Sequence, residues 1–169
     1  IAAPYPGTEL WEIARRDGER RRSVAIDYFL FRRSQYREMP DFAIGRAGWD
    51  NWMIYHARTM GWQVIDLTPS LGVIHQNHDY SHLPDGKKHY DLEETDINRE
   101  LAGGSGHIYN LLDANREYRD QLIRRPRFTW VRFFRNIERM IRHGKPNSLR
   151  WFFVRRFRRL WVRLEKRSK

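Results

Sequence analysis

GWDNWMIYHA, residues 48–57, decides how the middle of the chain folds. Trp49, Met53, Ala57 and Met60 recur four, four and three residues apart, the spacing of a buried helical face, and Gly61 follows as a C′ residue. Asp50 therefore falls in the first helical turn, where a carboxylate accepts bonds from free backbone N–H groups and complements the helix dipole. Working outward, WQVID (62–66) reads as a strand, and SVAIDYFLF (23–31), β-rich and mostly apolar, as a strand covered on both faces. LGVIHQN (71–77) reads as a third strand and HIYNLLDA (107–114) as a further strand-like segment. Between these two lie a short helix at 93–101 and a GGSG link at 103–106. Strand, helix, strand, strand predicts an α/β layer: a mixed sheet with flanking helices.

The chain has 169 residues, enough for one ordinary core and an appendage. It has no cysteine, which excludes disulfides and thiolate metal sites, and no apolar run of 18 residues, the length of a spanning helix. The net charge of +11 is unevenly spread. Residues 124–169 hold 17 Lys and Arg against two acids, a net +15, whereas residues 1–123 hold 15 against 19, a net −4. Basicity is thus a property of the tail, and isoelectric point alone does not argue for nucleic acid binding by the rest. The division implies an N-terminal segment with a short helix (1–22), an α/β unit (23–123) and a basic amphipathic helical tail (124–169). Because the sequence opens on Ile1, the expectation is a processed chain or a piece of a longer one.

HQNHDYSH gathers His75, His78 and His82 within eight residues. At a strand end running into a polar loop, such histidines either bond backbone groups at a sheet edge or serve as ligands to a divalent cation, for which neutral imidazole is well suited. Trp49 and Trp52 also have two readings, as core or as stacking platforms for sugar faces. The helical stripe favours core for Trp49 and platform for Trp52.

DYFLF, PDFAIGRAGWDNW and VIDLTPSLGVIHQNHDYSH together resemble the acceptor-side, C-terminal half of bacterial GT-A glycosyltransferases over about residues 25–114. The resemblance implies a partial GT-A-like sheet and inverting, metal-assisted transfer of a sugar from a nucleotide-sugar donor to a glycan or lipid-linked acceptor. Asp50 would be the general base and Arg46 a cation near the leaving diphosphate. His75, with His78 as second choice, would be a ligand to Mn²⁺ or Mg²⁺, and Trp52 and Tyr80 would bind substrate. Asn51 stands where such enzymes place a second acid, leaving Asp50 alone for the task. No Asp-x-Asp occurs, nor a strand and Gly-rich turn to cradle a nucleotide. The expectation is therefore a fragment, inactive without a nucleotide-binding half, with a cytoplasmic location at the inner face of the membrane. The competing expectation is a non-catalytic carbohydrate- or membrane-binding module.

In the tail, Arg132, Arg135, Arg139 and Arg142 share one helical face and Trp130, Phe134, Ile137 and Ile141 the other. Leu149, Phe153, Phe157, Leu160, Trp161 and Leu164 form a second stripe flanked by five arginines. Two amphipathic helices of this kind suit an anionic membrane surface along 128–164. The alternative is that they pack their stripes on the domain with the arginines solvated. Nucleic acid ranks last, because aromatics at core-like spacing are committed to burial and no reading motif accompanies them.

Overall fold

The structure, a computed structural model, describes residues 7–26, 28–75, 92–142 and 147–168. Among these the chain is mixed α/β, with five α-helices and one three-stranded sheet. Helix α1 (Gly7–Asp17) is a surface helix, with Glu9 in its first turn and Arg15 and Arg16 in its last, each at the dipole end it stabilises.

Helix α2 (Trp49–Thr59) has the ends its glycines foretell. Gly48 at φ 111° turns the chain into the helix, and the Trp52 N–H donates to the Gly48 carbonyl at 3.0 Å. At the far end Gly61 has φ 72°. The Trp62 N–H reaches the Ala57 carbonyl (2.9 Å) and the Gly61 N–H that of Arg58 (3.3 Å), the paired bonds of a Schellman motif. The buried face comprises Trp52, Met53, Ile54 and Ala57. It is rotated from the predicted stripe, with Met60 55% exposed and Trp49 half-buried, because neighbours cover the helix on more than one side. Phe42, Trp52, Met53 and Ala102 form the core, and Phe29, Tyr36, Trp49, Tyr55 and Ile108 pack against it.

The sheet is small. Strand β1 (Ile65–Asp66) pairs in parallel with β2 (Arg116–Arg119), Ile65 opposite Arg116 and Asp66 opposite Glu117. Asn115 continues that junction through side-chain bonds to the Val64 N–H (2.8 Å) and the Trp62 carbonyl (3.3 Å). Strand β2 then turns back on β3 (Leu122–Arg124) as an antiparallel hairpin. Its two turn residues, Asp120 and Gln121, have φ 53° and 62°, as a type I′ turn demands. The unit boundary expected at 123/124 falls inside β3.

Several predicted strands are absent among the described residues. Of 23–31, residues 23–26 and 28–31 form turns and irregular backbone, with Leu30 96% exposed; residues 71–75 are likewise irregular and exposed. Apolar, β-branched composition favours a strand only where a neighbouring strand accepts its backbone bonds, and among the described residues no strand pairs with these segments. Residues 107–114 instead hold the last residue of one 3₁₀ turn, Ser105–His107, and the whole of a second, Leu111–Asp113. There Asn110 accepts from the Leu112 N–H and Asp113 accepts from the Asn110 N–H, both at 2.9 Å. This local capping exchange competes with extended pairing. The short helix foreseen at 93–101 is α3 (Glu93–Leu101).

The basic tail forms two helices, α4 (Trp130–Arg142) and α5 (Ser148–Arg167), packed antiparallel with Phe134 stacked on Phe157. Asn147 caps α5 by accepting from the Arg150 N–H at 2.7 Å. The arginine face of α4 turns inward, so the expectation of solvated arginines does not hold for this helix. Arg135 is 3% exposed, whereas Trp130 (60%), Phe133 and Met140 face outward. The reason is the acidity of what lies beneath. Arg132 meets Asp66 (3.5 Å), and Arg135 meets Asp113 (2.6 Å) and Glu138 (2.9 Å). The far end of α5 returns to the segment that follows α1, where Glu165 accepts from the Ser23 N–H (2.7 Å) and pairs with Arg22 (3.1 Å).

Candidate functional site

The loop before α2 is fixed from below by one side chain. Asn98 of α3, wholly buried, accepts from the Ala43 N–H (2.8 Å) and donates to the carbonyls of Ala43 (3.0 Å) and Ala47 (3.3 Å). A buried amide spanning both ends of a five-residue loop satisfies polar groups that would otherwise be lost to water, so residues 43–47 keep one shape. That shape delivers Gly48 to the start of α2 and sets Asp50 one residue into the helix.

Asp50 is half-buried, and one of its oxygens accepts from the Asn51 N–H at 2.8 Å. It therefore sits at the positive end of the α2 dipole. Asn51 has a different duty. Its side chain donates to the Tyr109 carbonyl (2.6 Å) while the Tyr109 N–H donates to the Asn51 backbone carbonyl (3.4 Å), which ties α2 to the 108–110 segment. An amide is needed there as a donor; a carboxylate would face the carbonyl with no proton to give.

Arg46 belongs to the same clamped loop. It is half-buried, 3.9 Å from Glu94 of α3, and its Nε is buried without a hydrogen-bond partner among the described residues. Asp50 and Arg46 thus flank one loop–helix junction held by Asn98. Trp52 does not join them. Its ring is 7% exposed, stacked on His56 (centroids 4.6 Å apart) and tilted against Phe42 (5.3 Å), so it is core rather than a platform for sugar. Trp49 is half-buried, and its ring meets Phe29 at 5.7 Å.

His75 is exposed at the end of the 71–75 segment. His78, Tyr80 and His82 lie outside the described residues. Among the described residues no group of three or more His, Cys, Asp or Glu is placed to hold a metal ion, so these side chains alone do not make a complete divalent site. Nor is any described helix long and apolar enough to cross a membrane.

The densest polar constellation was not foreseen from the sequence. Arg135 donates from Nε to both oxygens of Asp113 (3.2 and 3.0 Å), from Nη2 to Asp113 and to the Ile108 carbonyl (3.1 Å), and from Nη1 to Glu138. Glu138, with no exposure, also accepts from Trp161 Nε1 at 2.7 Å and from Arg142. Burial alone would lower the Arg135 pKa, but Asp113 and Glu138 more than offset it and hold the guanidinium above its ordinary value. A sequence signal did exist: Glu138, one of only two acids after residue 123, lies three residues after Arg135 and four before Arg142, on their face.

Beside this network a cleft of about 460 Å³ opens between the last turn of α2, residues 112–115 and the start of α4. It is lined by Arg58, Arg127, Arg132 and Arg139 together with Phe128 and Phe133. Comparison with family models, with curated proteins and with solved structures finds no match to the chain.

Proposed function

We propose that the chain is the acceptor-side half of an inverting GT-A glycosyltransferase, which takes a sugar from a nucleotide-sugar and gives it to a hydroxyl of a glycan or lipid-linked acceptor. The observation that carries the reading is the placement of Asp50: a carboxylate in the first turn of a helix, just after a loop that a buried asparagine clamps and that carries a guanidinium. A sugar hydroxyl is a very weak acid, so its attack on an anomeric carbon gains roughly 10²–10⁴-fold from a carboxylate within about 3 Å. Asp50 takes that proton, and the rigid loop holds the base in position between turnovers. Arg46, shared with Glu94, adds positive charge near the departing diphosphate.

A divalent cation, Mn²⁺ or Mg²⁺, belongs to this reading as a neutraliser of leaving-group charge. His75 would be one ligand, and its companions would come from outside the described residues. The exposed apolar side chains at Tyr28, Leu30, Phe31, Leu71 and Val73 support a nucleotide-binding half that covers these segments and completes the sheet. The test uses a longer chain that carries such a half. Asp50→Asn should lower transfer about 10²–10⁴-fold while nucleotide-sugar affinity stays near the parent value. Equal turnover in mutant and parent would remove Asp50 as the base.

A second reading, a non-catalytic module that binds a carbohydrate or a membrane surface, has its own observation. The α4–α5 hairpin exposes Trp130, Met140, Leu149, Phe152 and Phe153, and α5 adds exposed arginines at 155, 156, 159 and 163. Aromatic and aliphatic side chains rimmed by arginine suit the headgroup region of an anionic bilayer, and they serve a transferase at the inner face of the membrane equally well. The arginines of α4 take no part in this surface. Binding to vesicles of phosphatidylglycerol should weaken as salt rises and fall on Phe152→Ser with Phe153→Ser. Binding unaffected by both would refute the membrane face.

A further inference from the structure

We propose that the arginine-lined cleft at the C-terminal end of α2 binds a phosphate or diphosphate group. Arg58 and Asp50 stand eight residues apart on α2, about 12 Å along its axis, so the cleft is separate from the loop–helix junction that holds the candidate base. Four guanidinium groups, those of Arg58, Arg127, Arg132 and Arg139, line the cleft, and the acids near them are already engaged. Asp113 receives Nε and Nη2 of Arg135 and the Asn110 N–H, and its side chain has no exposure. Asp66 faces Arg132 at 3.5 Å. Arg139 lies 3.9 Å from the same Asp113 and over the Tyr109 ring at 5.3 Å, so its positive charge is only partly met.

Arg58 is the sharpest case. Its Nε is buried and has no hydrogen-bond partner among the described residues. Burial, followed by repulsion from Arg139, lowers its pKa from the ordinary guanidinium value, the sign of a cation short of compensating charge. A planar guanidinium with an unused N–H is matched by phosphate oxygens, which accept from several forks at once. A cavity of this volume exceeds what a single monovalent ion fills and leaves room for two linked phosphates or a phosphate with its ester group. At its lip Phe128 is 71% exposed, in ring contact with Trp130 at 5.5 Å. The group can therefore be carried by a soluble molecule or by a lipid whose tail lies along that aromatic edge.

Calorimetric titration of the whole chain with inorganic pyrophosphate tests the proposal. Saturable binding is expected, weakening with added salt. Arg58→Gln and, separately, the exposed Arg127→Gln should each weaken it about tenfold or more, whereas Lys166→Gln on α5 should leave it unchanged. Circular dichroism and melting of each variant establish that the fold is kept, and Arg127→Gln carries the test should Arg58→Gln unfold. Vesicles of phosphatidic acid and of phosphatidylglycerol at equal charge separate the two sources. A lipid headgroup predicts tighter binding to phosphatidic acid that Arg58→Gln abolishes, and a soluble ligand predicts vesicle binding indifferent to Arg58→Gln while pyrophosphate still binds. Asp50→Asn should bind pyrophosphate as the parent does, so the cleft stands or falls apart from the transferase reading. No pyrophosphate binding at millimolar concentration, or equal binding by parent, Arg58→Gln and Arg127→Gln, would overturn it.

Discussion

Replacing Glu138 by glutamine removes one charge and almost no volume from the place where α4 meets both the domain and α5. Glu138 has no exposure and receives Arg135 (2.9 Å), Trp161 (2.7 Å) and Arg142. Glutamine can still accept from Trp161, but it turns an N–H₂ toward one guanidinium and leaves three charges, Arg135, Arg142 and Asp113, to balance without their fourth. Breaking a buried ion pair by removing one partner costs about 3–5 kcal/mol. The retained Trp161 bond and the remaining Arg135–Asp113 pair place this variant near the lower end, about 3 kcal/mol. For a chain of this size the corresponding fall in Tm is roughly 6–12 °C. Thermal and urea unfolding followed by circular dichroism, with Glu100→Gln at an exposed position of α3 as control, give the comparison. A loss below about 1 kcal/mol, matching the control, would mean that the arginine face of α4 does not lie on the domain at all.

Asn98→Ala should cost about 1–3 kcal/mol and raise hydrogen exchange at the Ala43 amide above that of its neighbours; unchanged exchange there would refute the clamp. Burial alone would raise the Glu165 pKa, but bonds from Ser23 and Arg22 outweigh it and hold the carboxylate below its ordinary value of 4.5. A lowered folded-state pKa gives stability that is complete above about 4.5 and is lost as pH falls through the folded value, so acid unfolding should begin below that point. Glu165→Gln should flatten this acid limb, and a parent and mutant with parallel limbs would contradict it. Gln121→Gly should stabilise the β2–β3 hairpin by up to about 1 kcal/mol, since only glycine adopts the left-handed conformation without steric cost. A lower Tm in that variant would count against the type I′ turn.

Local signals were the ones the sequence carried faithfully. The limits of α2 follow from Gly48 and Gly61, whose backbone demands are met within a few residues, and the helical periods of α4 and α5 are plain in their aromatic spacing. Periodicity names two faces of a helix but not which one lies inside. For α4 the inward partners, Asp66 and Asp113, are acidic and distant in sequence, so the charged face became the buried one. The segments 23–31 and 71–75 have strand composition, but a strand exists only with a neighbour, and composition does not record neighbours. The hairpin at 116–124 was invisible because Asp120-Gln121 is not one of the glycine-bearing pairs that announce a type I′ turn. At the candidate site the position of Asp50 was legible from the helix start, whereas the clamp that fixes it comes from Asn98, 51 and 55 residues from the carbonyls it holds.

The bond from Ser23 to Glu165 joins residues separated by 142 positions. Synthesis delivers Asp113 22 residues ahead of the guanidinium that will neutralise it, and Ser23 142 residues ahead of its anchor. Until α4 and α5 have been made, the Asp113 carboxylate is met by water and the Ser23 N–H lacks the carboxylate that later accepts from it. Folding of so closed a loop is slow relative to helix formation, and chaperone demand should fall sharply once α5 is complete.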